Sequence, residues 1–150
     1  MHAAANLPSY VAMMHLLGLF ALALLFGGMV FFAAIVAPLI FAKLPPDHAG
    51  HFVRALFPRY YLYVFAAAAL ASLTLRGWPS LVTALVALTT AWLRQWLMPR
   101  INQLSDAALA GDDTAKPRFA RAHQLSVLIN AIQWLAITAA LARVGFVPPA

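Results

Sequence analysis

The sequence predicts an all-α integral membrane protein: an antiparallel bundle of four spanning helices, with a short amphipathic helix at the membrane surface between the first two spans. Composition is the first reason, because 64% of the 150 residues are hydrophobic and only 9% are charged, against about 25% in soluble domains. The second reason is that the apolar residues form four long runs with the charges between them. A soluble domain of this size could not bury so much apolar surface, so we expect residues 1–150 to form one domain in a lipid bilayer.

The four apolar runs predict spans at residues 10–42, about 58–75, about 80–97 and about 119–144. Each run is apolar on all sides apart from isolated polar positions, which is typical of a spanning helix. The first run would reach about 50 Å as a helix, more than the ~30 Å hydrocarbon core of a bilayer. We therefore expect the first helix to tilt, to kink at Pro38 or to project from the membrane.

The connection between the first two spans predicts a short helix of its own over residues 47–57. The Pro-Pro-Asp sequence at 45–47 is typical of a helix start. Apolar residues then recur at helical spacing opposite His51 and Arg54, at Phe52, Val53, Leu56 and Phe57. Such a helix would lie on the membrane surface, and Pro58 would redirect the chain into the second span.

The positive charges predict which end of the protein faces the cytoplasm. The two long connections, 43–59 and 98–121, carry seven Lys or Arg residues, and the opposite side carries only Arg76 and Arg143. Because positive residues favour the cytoplasmic side, we expect both connections in the cytoplasm, both termini outside, and the chain in the cytoplasmic (inner) membrane. A reporter fused to Ala150 would test this orientation. The same distribution accounts for the net charge of +6 without a nucleic acid partner.

Several kinds of catalysis are excluded by the residues that the chain lacks. It has no cysteine, so it has no disulfide, thiolate metal site or catalytic thiol. It has no Glu, and its four Asp residues all lie in the connections, so paired carboxylates cannot act within the membrane. Neither a phosphate-binding glycine loop nor a nucleophile elbow is present. The sequence therefore favours a protein that is not an enzyme.

A polar stripe marks the fourth span, in the stretch HQLSVLINAIQW at 123–134. Its four polar residues lie within about 80° of one helix face; they are His123, Ser126, Asn130 and Gln133. The third span has a narrow polar face of its own, formed by Thr83, Thr90 and Arg94. One interpretation is that the two faces hydrogen-bond to each other and hold the helices together.

The other interpretation of the stripe is a polar cleft that opens to the cytoplasm. We expect Arg94, Arg100 and His123 around its mouth, and the further lining residues are Ser126, Asn130, Gln133 and Tyr60. Such a cleft would bind an anionic lipid headgroup, an anionic small molecule or a partner protein.

Histidines form two candidate metal sites at opposite ends of the helices. His15 lies in the first turns of the first span, where an ionisable side chain is costly and faces the protein interior or water. Its imidazole could ligate heme iron or copper, or it could hydrogen-bond to a neighbouring helix. At the other end, His48 and His51 share a helix face, and with His123 they could hold a metal ion such as zinc. The alternative is that these three histidines lie at the surface near lipid headgroups.

Five sequence motifs resemble a known family in their order and spacing. They are MHLL (14–17), FGGMVFFAAIVAP (26–38), LFPRYY (56–61), WLMPR (96–100) and RAHQLSVLIN (121–130). With these motifs the chain is similar to the transmembrane protein 205-like family of small four-span proteins, which has a domain of unknown function. The resemblance implies the four-span fold and no reaction, and its matching positions are His15, Pro58, Tyr60, Pro99, Arg100, His123, Ser126 and Asn130.

The first span also resembles, more distantly, those of copper-resistance D-type membrane proteins and of four-helix heme-binding protoporphyrinogen oxidases. In both groups a histidine early in a span matters for metal or heme, which implies heme b or copper at His15. The chain departs from the oxidases because it lacks an intramembrane lysine. Its only lysines, Lys43 and Lys116, lie in connections.

Three functions follow as expectations. The first is non-enzymatic binding of a small ligand, a lipid headgroup or a partner protein at the cytoplasmic cleft. The second is a heme- or copper-binding redox or metal-handling role centred on His15. The third is a small exporter, which would need a homo-oligomer because four spans are few for a transporter.

Overall fold

The structure, a computed structural model, describes residues 7–146, which are helical apart from short connections. The elements are α1 Leu7–Phe31, a first π-helical segment Phe32–Val36, α2 Ala37–Lys43, α3 Pro46–Thr74, α4 Trp78–Trp92, a second π-helical segment Leu93–Leu97, α5 Met98–Leu109 and α6 Ala115–Phe146. The π segments join α1 to α2 and α4 to α5, so the chain forms four long helices. No strand occurs within residues 7–146, which confirms the all-α prediction.

Each of the four continuous helices has the length and the apolar composition needed to cross a membrane. Their most apolar stretches have a mean hydropathy between 1.3 and 2.6. Large apolar side chains cover the outside of the protein, and Leu73, Leu81 and Trp96 are each more than 70% exposed. Contiguous apolar surface of this kind would be unfavourable in water but matches the hydrocarbon of a bilayer. These features support a multi-pass membrane protein.

Neighbouring long helices pack around a shared apolar core. α3 packs on α1 and α4, and α6 packs on α1, α4 and α5. Core residues from three of the long helices meet at Leu22, Leu25, Val64, Ala68 and Ile137, all of them at most 1% exposed. Because the contacts are spread over all four helices, close packing of side chains across several helix pairs stabilises this arrangement, and no single pair of helices does so alone.

We name the two ends of the protein after the segments that lie there. The connection end contains segments 44–45 and 110–114, and the terminal end contains residue 7, segment 75–77 and residue 146. Gly18 of α1 lies against Leu75, whereas Gly28 lies against Tyr63. Since Leu75 comes after Tyr63 in the chain, α1 and α3 run in opposite directions.

Glycines in α1 allow its backbone to approach α3 closely, as the sequence predicts for small residues in membrane helices. A methyl group on Gly28 would collide with the ring of Tyr63, and one on Gly18 would lie 2.7 Å from Leu75 Cγ. Across the same contact the Tyr63 hydroxyl donates a hydrogen bond to the Leu24 carbonyl. Gly27 has no atom of another residue near its would-be methyl group, so only one glycine of the Gly27-Gly28 pair is required by packing.

The separate surface helix expected over residues 47–57 is not found, because α3 is one helix from Pro46 to Thr74 with Pro58 inside it. Its first part is held between neighbours instead of lying alone on the membrane: it packs on α2, and Arg54 forms an ion pair with Asp106 of α5. Arg94, in the second π-helical segment, also contacts α3, because its Nε donates to the Pro58 carbonyl at 3.3 Å. Pro58 has no N–H for the carbonyl four residues earlier, that of Arg54, and the packing of α3 on α1 and α4 keeps the helix continuous despite this loss.

Both π-helical segments end two residues before a proline. The first ends at Val36 before Pro38, and the second ends at Leu97 before Pro99. A proline ring collides with the carbonyl four residues earlier and has no N–H for it. Widening the preceding turn by one residue relieves this collision. Pro38 is therefore accommodated by a π turn within one continuous helix.

The third and fourth helices extend further at the connection end than the sequence predicts. α5 continues to Leu109 and α6 begins at Ala115, because Leu104 of α5 is buried and anchors the segment. Between them the Asp112 carboxylate accepts hydrogen bonds from the Thr114 hydroxyl and backbone N–H, both at 2.8 Å. These bonds, mainly the one from the Thr114 hydroxyl, stabilise the ionised carboxylate and so hold the pKa of Asp112 below its usual value.

We expect Gly28→Ala to lower the free energy of unfolding by about 1–3 kcal/mol, since the added methyl group must displace the Tyr63 ring. Gly27→Ala is the matched control, because it adds the same methyl group where no neighbour lies within 4 Å. Denaturant unfolding in detergent would measure both. Equal stability of the two variants would contradict the close approach of α1 and α3.

Candidate functional site

The polar stripe of α6 has two parts with different surroundings. At its terminal side, Gln133 is 5% exposed and contacts α4. Its Nε2 donates to Thr89 Oγ1 at 2.6 Å and to Thr90 Oγ1 at 3.2 Å. Gln133 therefore acts as the predicted link between the third and fourth long helices, and Thr89, which lies beside the face expected from the sequence, supplies the shorter of the two bonds.

The other three stripe residues line a cavity of about 860 Å³ at the connection end. His123, Ser126 and Asn130 form one side of it. The cavity lies between the segment 29–41 of the first long helix, the first half of α3, α5 and the first half of α6. Its volume falls in the range of roughly 300–1,000 Å³ that is usual for small-molecule sites. We call it the connection-end cavity.

Aromatic rings form the α3 side of the connection-end cavity. The Phe32 and Tyr60 rings stack with their centroids 4.1 Å apart, and Phe57 meets Phe32 edge-on at 5.3 Å. Tyr61 joins the same group, with its ring centroid 5.6 Å from that of Phe57. Since the remaining wall from the first long helix contributes mainly alanine and other apolar side chains, most of the cavity surface is apolar.

The α6 side of the cavity is polar, but its donors are partly used within the protein. Ser126 Oγ donates to the His123 carbonyl and Asn130 Nδ2 donates to the Ser126 carbonyl, both at 2.7 Å. These bonds fix the orientation of Ser126 and Asn130 while leaving the Ser126 oxygen able to accept a further bond.

Two more polar side chains reach the cavity from α5. Asn102 and Ser105 both line it, and the structure gives their side chains no hydrogen-bond partner among residues 7–146. The imidazole of His123 stacks against Phe119 at 5.9 Å and likewise keeps its nitrogens free of partners within the described residues. The cavity thus presents several unused hydrogen-bonding groups on the side facing α5 and α6.

An aromatic contact marks where the cavity begins along the first and last long helices. Phe26 and Trp134 stack with their ring centroids 6.0 Å apart, which joins α1 to α6 at mid-length. Towards the connection end, α2 packs on α3 and α6 packs on α5, and the cavity lies between them. The space is therefore bounded at one end by an aromatic pair and along its sides by the four long helices.

The structure brings together four of the seven residues predicted for a polar cleft, namely Tyr60, His123, Ser126 and Asn130. Gln133 lies in the helix contact with α4, and Arg94 donates to the Pro58 carbonyl. Arg100 is exposed and does not line the cavity. Arg54, which the sequence assigned to the polar face of a surface helix, is the arginine at the cavity, and its ion pair with Asp106 holds it there.

The predicted metal-binding histidines lie apart from one another. His15 is half-buried at the terminal end, where it lines a second cavity of about 440 Å³. His48 and His51 are exposed near the start of α3. Within residues 7–146 no three histidine or aspartate side chains come together around a point that could hold a metal ion, so the three-histidine arrangement with His123 is not formed in this structure.

Residues 20–109 match the model of a domain of unknown function (DUF4149). The match covers more than half of the chain. The protein belongs to this family. In this DUF4149 protein the matched region includes the aromatic side of the cavity and Arg94, whereas His15 and the polar residues of α6 lie outside it. No curated protein and no solved structure matches the chain.

The finer resemblance to the transmembrane protein 205-like family stays a prediction. Two of the motifs that carry it, MHLL at 14–17 and RAHQLSVLIN at 121–130, lie outside the region matched by the DUF4149 model. The family itself, defined by a domain of unknown function, indicates no reaction or ligand.

We expect Gln133→Ala to lower the free energy of unfolding by about 1–2 kcal/mol, because it removes the bonds to Thr89 and Thr90. The loss is limited because Gln133 Oε1 is buried without a partner among the described residues, and that cost disappears with the side chain. Gln124→Ala, the same change at an exposed position of α6, should change stability by less than about 0.5 kcal/mol. Denaturant unfolding in detergent compares the two, and equal losses would show that Gln133 does not link the helices.

Proposed function

We propose that this membrane protein binds an amphipathic small molecule, such as a lipid, in the connection-end cavity. The observation that carries the proposal is a cavity of about 860 Å³ whose lining is mainly apolar but has polar groups on one side. A purely polar ligand would leave the apolar side of the cavity uncovered, and a purely apolar ligand would leave the polar groups on the other side without hydrogen-bond partners. A molecule with an apolar body and a polar group satisfies both sides.

The apolar body of the ligand would lie against α3 and the first long helix. Phe32, Phe57 and Tyr60 present a connected aromatic surface there. Ala33 and Ala37 line the cavity from the first long helix, and their small side chains leave the space open. Burial of apolar ligand surface at about 25 cal/mol per Å² would provide most of the binding free energy.

The polar group of the ligand would meet α5 and α6. Asn102, Ser105 and the His123 imidazole are the side chains there whose hydrogen-bonding groups have no partner in the described part of the chain. The Arg54 guanidinium at the same cavity is paired with Asp106 and is 33% exposed. A ligand with an anionic headgroup could therefore gain a charge-assisted hydrogen bond from Arg54.

The orientation in the membrane is part of the proposal. The seven Lys and Arg residues of the long connections lie at the connection end, and Arg76 and Arg143 lie at the terminal end. By the positive-inside rule this cavity faces the cytoplasmic side of the inner membrane. The ligand would accordingly come from the cytoplasm or from the cytoplasmic leaflet.

A second candidate function is heme or copper binding centred on His15. The observation that favours it is that His15 lines a cavity instead of packing in the apolar core. For this function, protein purified in mild detergent would show a Soret band or bound copper, which His15→Ala would remove and His51→Ala, a change at an exposed histidine, would not. Protein that stays colourless and copper-free after hemin and copper are offered would exclude it.

We expect Ala131→Trp to reduce the amount of bound amphipathic molecule at least about tenfold, because the indole fills part of the cavity that Ala131 lines and opposes binding by more than about 1.4 kcal/mol. Ala139→Trp is the matched control: it places the same ring on an exposed face of α6 outside both cavities. Native mass spectrometry of the protein released from mild detergent, followed by solvent extraction, would measure the bound molecule.

Asn130→Leu tests the polar side of the cavity in the same experiment. It keeps the branched shape of the side chain but removes the hydrogen bond to the Ser126 carbonyl and any bond to a ligand, so bound molecules with a polar headgroup should be lost in preference to apolar ones. An unchanged set of bound molecules in both Ala131→Trp and Asn130→Leu would contradict ligand binding in this cavity.

A further inference from the structure

The cavity at the terminal end has a chemistry different from that of the connection-end cavity. Its volume is about 440 Å³, and polar and aromatic side chains make up much of its wall: Tyr10, His15, Thr74, Arg76, Trp78 and Arg143. These residues come from α1, the end of α3, the segment 75–77, α4 and α6. The cavity is thus built by all four long helices where they meet at this end.

Two arginines line this cavity, and the chain provides no acidic side chain to neutralise them. Arg76 lies in the segment between α3 and α4, and Arg143 lies in the last turn of α6. The four carboxylate side chains of the protein, Asp47, Asp106, Asp112 and Asp113, all lie at the connection end. The ion pairs in the described part of the chain are likewise confined to that end. Neither guanidinium has an ion-pair or hydrogen-bond partner among residues 7–146, so an anion in the cavity would meet two available guanidinium groups.

The start of α4 adds to the positive potential of the same cavity. Gly77 precedes the helix with φ of 67°, and no side chain caps the first turn. The Gly77 and Trp78 residues line the cavity, so the positive end of the helix dipole faces it. An anion in this cavity would be attracted by all of these charges.

We propose that the terminal-end cavity binds a phosphate group, either free or as part of a phospholipid headgroup. Each guanidinium presents five N–H donors in a planar fork that matches phosphate oxygens. The His15 imidazole and the Thr74 hydroxyl line the same space and can donate further hydrogen bonds. This site is independent of the function proposed for the other cavity, because the two lie at opposite ends of the helices.

Isothermal titration of the purified protein in a non-ionic detergent tests this site with two probes, inorganic phosphate and phosphatidylglycerol in mixed micelles. We expect Arg76→Gln and Arg143→Gln each to weaken binding about tenfold, and the double variant about a hundredfold, if each arginine contributes independently. Arg121→Gln is the matched control, because Arg121 is an exposed arginine of α6 at the connection end. It removes the same net charge and should leave the affinity within about twofold.

The pattern of binding distinguishes the sources of the phosphate group. Arginine-dependent binding of inorganic phosphate supports a site for a free anion, and arginine-dependent binding of phosphatidylglycerol alone supports a headgroup site. Binding of neither probe overturns the proposal. Equal weakening by Arg121→Gln also overturns it, because the attraction would then come from the overall charge of the protein. If the double variant does not fold, the affinities of the two single variants still test the site.

Discussion

Packing of Phe57, Tyr60 and Tyr61 against the first and last long helices depends on α3 continuing as one helix through Pro58. If the chain turned at Pro58, these rings would lie at the junction of two elements and could not hold a fixed spacing along one helix face. Continuity also carries Arg54 to Asp106 and places the Pro58 carbonyl within reach of Arg94. The helix is thus stabilised by the same neighbours that it positions, and the aromatic side of the connection-end cavity is a consequence.

The polar stripe of α6 serves two purposes because the helix has different neighbours along its length. Where α6 packs on α4, Gln133 meets two threonine hydroxyls and the polar group is enclosed in a helix contact. One to two turns earlier, α6 faces a cavity, and Ser126 and Asn130 satisfy much of their hydrogen bonding within α6. The Phe26–Trp134 stack lies at the boundary between the two regions. The neighbouring surface therefore determines whether a polar residue links helices or lines a site.

The two cavities differ because charge is distributed unevenly between the ends of the protein. All four aspartate side chains lie at the connection end, where Asp106 neutralises Arg54 and the cavity is otherwise mostly apolar. At the terminal end Arg76 and Arg143 have no acidic partner among the described residues, and the positive end of α4 adds to their charge. The lining of one cavity is therefore mainly apolar with polar groups on one side, and that of the other is positively charged.

The sequence by itself determined the membrane environment, the all-helical class and the approximate positions of the four spans, because composition and the helical period are local properties. It also identified the α6 residues that line the cavity, since a polar stripe in an apolar helix is visible in one segment. It did not reveal the continuity of α3 through Pro58, and it assigned Arg94 and Arg100 to the cavity in place of Arg54. Only the tertiary structure decided these points, because whether a helix continues through a proline and which arginine finds a partner depend on packing and carboxylates from helices far away in the chain.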